Sequence, residues 1–214
     1  MAVTELALLH LSSSLTVEND DLRSKLAHAK NVMQEFTKRT FYYLQQIEDP
    51  SYVYIVGEWD SLDQHMHDFI PGKANQAVLE SLKDIVSVNW LLHIDAPHAE
   101  LSMPKTDTEK AKAHSGELVW SIVRHFIKEG EKDGFQQTYG VNKHFLQEYV
   151  TEGIIGGGWR VDKDDVKEEF VLICPWTRVE QHSQFAETEG FARYGKIREY
   201  ITGAEIKHFR LLDL

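Results

Sequence analysis

Six histidines stand where proton chemistry could be done. His10, His93, His125 and His208 fall in apolar, strand-like stretches. His65 and His182 close two similar segments, WDSLDQH at 59–65 and WTRVEQH at 176–182. Imidazole titrates nearest neutral pH, so each could take a proton from a phenol or an acidic carbon. The plainer reading of a strand histidine is a buried neutral ring with one hydrogen bond. For His65 and His182 it is a half-exposed ring packed on a neighbouring strand. His65 and His67 do not make a metal pair, because positions i and i+2 do not share a helix face. A four-histidine metal site would need every strand histidine on one face, and no metal is expected. Trp59 and Trp176 could lean over a bound aromatic molecule or plug the end of a core. Tyr43 and Tyr54, with Tyr42 and Tyr52, crowd one predicted hairpin, as aromatic binders or as strand-compatible core.

These residues recur in register. The Trp–Gln–His segments lie 117 positions apart. LKDIVS at 82–87 matches IREYIT at 197–202 with an offset of 115, and at that offset His93 falls on His208 and His10 on His125. Small loop insertions account for the change of offset. The chain therefore reads as an internal duplication, with repeats at 1–95 and 118–214. Between them, 96–117 has two prolines, mixed charge and little periodicity, and reads as a linker.

The elements that must hold the histidines follow from hydrophobic period. Thr4–Leu11 is apolar on both parities, as in a strand covered on both faces. Leu22, Leu26, Ala29, Met33 and Phe36 form one stripe of a helix over about 19–39, with Asn19 as N-cap. Phe41–Ile47 and Tyr52–Glu58 flank the turn Asp49-Pro50-Ser51 as a hairpin. A second helix starts near Ser61, is interrupted at Pro71-Gly72, and leads to a strand at Val88–Ile94. The second copy repeats the order with Leu118–Ile127, a helix to about Tyr149, strands near Ile154–Val161 and Glu168–Cys174, a helix from Thr177, and Ala204–Leu211. The fold class is α+β: two tandem ferredoxin-like βαββαβ repeats. Helices cover one face of each antiparallel sheet, and the natural cover for the other is the sheet of the other repeat, so the two sheets are expected to face each other. Strand alternation puts Arg124 and Lys207 on the faces opposite their neighbours His125 and His208.

Other features exclude more than they assign. The glycines at 153 and 156–158 fit no phosphate-loop spacing, and point to a bulge or a close backbone approach. No GxSxG or HExxH is present. The formal charge of −11 disfavours nucleic acid and anionic membrane surfaces. No apolar run approaches the roughly 20 residues that span a bilayer, and the N-terminal apolar run makes a poor signal peptide. The single cysteine, Cys174, ends a buried strand, is expected to be inert, and fits a reducing compartment. Cytoplasm is the expected location.

The strand running from Tyr52 into Trp59, the equivalent Trp176, the Gln-His that follows each, and the order of elements over nearly the whole chain resemble the dimeric α+β barrel superfamily. The antibiotic-biosynthesis-monooxygenase-like and stress-responsive A/B barrel groups are the nearest in character. The resemblance implies a pseudo-dimeric barrel within one chain, with further association into a homodimer of pseudo-dimers left open. It also implies a cofactor-independent monooxygenase or cyclase of secondary metabolism, acting on a small aromatic or polyketide-like ligand inside the barrel. A non-catalytic binding or stress-response protein is the alternative, and haem binding a third reading. Haem-degrading relatives carry an Asn in the first strand and a later helical His; this chain has His10 and His125 in the first strands, and His65 and His182 come early.

Overall fold

The computed structural model describes residues 1–162 and 167–214. The chain divides into two units: Met1–His98 with Leu211–Leu214, and Ala99–Arg210.

The first unit runs β1 (Val3–Leu11), α1 (Asp20–Thr37), β2 (Phe41–Gln46), β3 (Tyr52–Trp59), a π-helical turn (Gln64–Phe69), α2 (Lys73–Leu82) and β4 (Val86–Ile94). Its strands are antiparallel in the order β4-β1-β3-β2, the ferredoxin-like arrangement. Local chemistry explains the boundaries. The Asn19 side chain accepts from the Leu22 amide at 2.9 Å, so α1 begins one residue later. The Asp49 carboxylate accepts from both the amide and the hydroxyl of Ser51, which closes the hairpin. Alternation then sorts β1: Val3, Ala7, Leu9 and Leu11 share a core with Leu22, Leu26, Ala29 and Met33 of α1 and with Val78 and Leu82 of α2. Phe36, expected on the α1 stripe, is 45% exposed and only its ring edge reaches Trp59 and Phe69.

The second unit carries α3 (Asp107–Ser115), β5 (Val119–Ile127), α4 (Lys132–Tyr149), β6 (Gly156–Trp159), β7 (Glu169–Trp176), α5 (Val179–Phe185), α6 (Glu189–Tyr194), a 3-10 turn (Gly195–Tyr200) and β8 (Ile201–Leu211). The sheet order is β8-β5-β7-β6, the same arrangement again. Residues 96–117 are more than a linker. Thr106 and Glu109 form a reciprocal capping box that starts α3, and Leu101 and Met103 are buried. The glycine cluster meets protein backbone: a Cβ on Gly156 would strike the carbonyl of Glu100, and one on Gly157 the carbonyl of Val171. Among the described residues, no helix is long and apolar enough to cross a membrane.

Candidate functional site

The repeated Trp–x4–Gln–His segment is a device for folding an imidazole back over an indole. In the first unit Gln64 accepts the backbone N–H of Asp60 at 2.9 Å, and in the second Gln181 accepts that of Thr177 at 2.8 Å. Each glutamine thus ties down the turn after its tryptophan, and the next residue is the histidine. His65 stacks on Trp59 with centroids 4.0 Å apart and planes 7° from parallel; His182 stacks on Trp176 at 4.4 Å and 10°. Each histidine then meets one from the last strand of its unit: His65 Nδ1 lies 2.6 Å from His93 Nε2, and His182 Nδ1 lies 2.8 Å from His208 Nε2. Both dyads sit on the helix-covered faces of their sheets.

The two copies differ in what lies beneath. Glu5 occupies the rung beside His93, and Ser121 the rung beside His208. The Trp59 indole N–H donates to the Glu5 carboxylate at 2.7 Å, whereas that of Trp176 donates to the Ser121 hydroxyl at 2.9 Å. Burial pushes the Glu5 carboxyl up to about 7, against the downward pull of the Trp59 hydrogen bond and of His93. Burial, then the Glu5 charge, raises the phenol of Tyr43 above its ordinary value. Glu5, Trp59, His65 and His93 are all at most 3% exposed, so the first copy is sealed.

The second copy opens onto a cavity of about 650 Å³ inside its own unit. Val123, His125, Leu172, Cys174, Ile206 and His208 contribute the sheet side; Leu146, His182, Phe185, Phe191, Tyr194 and Ile197 contribute the helical side. The cause is local. Where the first unit has a ten-residue helix with Val78 and Leu82 driven into the core, the second has two short helices and a 3-10 turn. Burial, then the neighbouring His208, lowers the His182 imidazole to about 4, so it is neutral at pH 7. His182 Nδ1 is held by His208, while its Nε2 has no partner among the described residues. His125 is likewise lowered to about 4 by burial. Its Nδ1 lies 3.2 Å from the Phe170 carbonyl, which can only accept, so Nδ1 carries the proton and Nε2 is a bare acceptor. Burial raises the Cys174 thiol and the Tyr194 phenol. Cys174 therefore stays a thiol.

The histidines expected from sequence are thus divided. His182, His208 and His125 line the cavity together with Trp176; His65, His93 and Trp59 form the sealed copy. His10 is on the other face of β1, against the Tyr52 ring at 4.8 Å, and joins neither group. Tyr54 is also on that face, edge-on to Trp90, and Tyr43 is core beside Glu5. The pairing of His10 with His125 is corrected by register. Val3 pairs with Trp59 and Val119 with Trp176, so the first strands are offset by one residue more than expected, and His125 corresponds to Leu9. Arg124 faces away from His125, bound to Glu169 and Glu205. Sequence reasoning missed Glu5, Ser121, Tyr194 and Arg198. Only Glu5 left a signal: an acid inside an otherwise apolar strand. Among the described residues, no group of three or more His, Cys, Asp or Glu is placed to hold a metal ion.

No protein-family model and no curated protein matches this sequence. Solved structures do match its fold. A protein of Fusobacterium nucleatum subsp. nucleatum described as a candidate monooxygenase superposes with a TM-score of 0.67 at 11% identity, over 99% of this chain and 93% of that one. An anthrone oxidase-like protein gives 0.67 at 10% identity, over 99% and 92%. A mutant chlorite dismutase from Candidatus Nitrospira defluvii gives 0.59 at 10% identity, over 99% and 92%. These neighbours belong to the dimeric α+β barrel superfamily. The chain has the dimeric α+β barrel fold, carried as two ferredoxin-like units in one polypeptide.

Proposed function

We propose that the cavity of the second unit is the active site of a cofactor-independent enzyme of monooxygenase or cyclase type, acting on a small aromatic or polyketide-like molecule. The observation that carries this reading is the His182–His208 dyad opening on an apolar cavity. In the tautomer whose Nδ1–H donates to His208 Nε2, 2.8 Å away, His182 presents a bare Nε2 to whatever fills the space. A neutral, oriented imidazole can remove the proton of a phenol or an activated carbon. The parallel Trp176 ring beneath it is placed to support the imidazolium that forms. The resulting anion then reacts with dioxygen in an oxygenase, or with a carbonyl of its own chain in a cyclase. The Tyr194 hydroxyl has no partner among the described residues and offers a hydrogen bond to orient the substrate. The neighbours described as a candidate monooxygenase and an anthrone oxidase-like protein support the reaction type. The buried, unpaired Cys174 supports a cytoplasmic location.

The test is oxygen uptake with anthrone, in the wild type and in His182→Ala. Uptake by the wild type that falls at least about a hundredfold in the variant, with anthrone still bound, supports the assignment; equal rates sink it. Binding without turnover in either protein favours the non-catalytic alternative. The free Nε2 of His182 is also what a haem iron would require, so haem is a second reading. A Soret band on haemin titration, lost in His182→Ala, would favour it.

A further inference from the structure

We propose that Arg198 makes this cavity selective for substrates carrying a carboxylate on an otherwise apolar body. This deepens the active-site reading and rests on it. The chain has 34 Asp and Glu and a net charge of −11, yet among the described residues no acidic side chain lines the cavity. Arg198, from the 3-10 turn between α6 and β8, does line it. Its Cδ lies beside Gly195, which leaves the stem room to follow the wall. Arg39, Arg124 and Arg160 each hold carboxylates of the protein, whereas Arg198 has no partner among the described residues. Burial keeps two of the wall histidines, His125 and His182, unprotonated at neutral pH. The guanidinium stays charged at every working pH, and its fork matches a carboxylate. The free hydroxyl of Tyr194 and the apolar remainder suit the rest of such a molecule.

Isothermal titration calorimetry with 2-naphthoate and 2-naphthylmethanol, which differ in the charged group, tests this. The wild type should prefer the carboxylate by about tenfold, and less at high salt. Arg198→Gln should lose that preference with the alcohol bound as before, and Arg198→Lys should keep part of it. Arg198 is exposed, so these variants leave the core intact; circular dichroism checks this. No preference in the wild type, or one that survives Arg198→Gln, overturns the assignment and leaves the cavity standing as a binding site. If neither compound binds the wild type, the active-site reading falls and this inference with it.

Discussion

Glu5→Gln is expected to stabilise the protein at pH 8, although it removes a buried charge that accepts a hydrogen bond. The glutamine keeps the length of the side chain and an oxygen for the Trp59 N–H. What it removes is the cost of ionising a carboxyl with no access to water. The native carboxyl titrates at about 7, against 4.5 for an unperturbed glutamate. Between those values the folded state binds more protons than the unfolded one. The contribution of this one carboxyl to stability is therefore greatest below pH 4.5 and is lost as pH rises through 7. At about 1.4 kcal/mol per pH unit, the wild type forfeits on the order of 1 kcal/mol by pH 5 and about 3 kcal/mol by pH 8. The variant does not titrate there, so its advantage should grow by about 2 kcal/mol across that interval. In a chain of this length it should appear as a rise in melting temperature of roughly 6 °C or more at pH 8. Urea unfolding at pH 5 and pH 8, followed by circular dichroism, measures it. A variant no more stable at pH 8, or a gap that does not widen with pH, would refute the reasoning. Glu5 would then be an anion held by the Trp59 N–H.

Two further outcomes follow from the second unit. Because His182 is lowered to about 4 and must be unprotonated to act, kcat/KM for the anthrone reaction should be flat from pH 6 upward and fall below about pH 4; a fall centred near 6.5 would mean that the base is a solvated histidine. Gly157→Ala should cost about 1–3 kcal/mol in urea unfolding, because its Cβ would meet the Val171 carbonyl, a backbone atom that cannot swing away.

The duplication has left two versions of one constellation. Both keep the Trp, the Gln that closes the turn, and the two histidines. The first adds Glu5 and fills the space above it with Phe69, whose ring lies 4.8 Å from Trp59. The second replaces the acid with Ser121 and breaks the covering helix, so the same dyad faces a void. A buried acid under a closed roof is a stability cost; a neutral dyad under an open one is a candidate base. Chemistry is thus expected from one copy only.

Element types, their order and the duplication were legible from sequence, because they depend on local periodicity. The α1 stripe, the hairpin turn at Asp49 and the Trp–Gln–His recurrence are all set within a few residues of chain. The capping box at Thr106 and Glu109 was equally local and would have revealed α3. Which histidines meet was decided only by tertiary structure. A strand shows two faces, and one residue of register decided that His125 lines the cavity with His182 while His10 does not. The cavity itself follows from how far the α5, α6 and 3-10 segments stand off the sheet. Its walls come from residues distant in sequence, such as Val123 on β5 and Ile197 on the 3-10 turn, and no local pattern encodes where they meet.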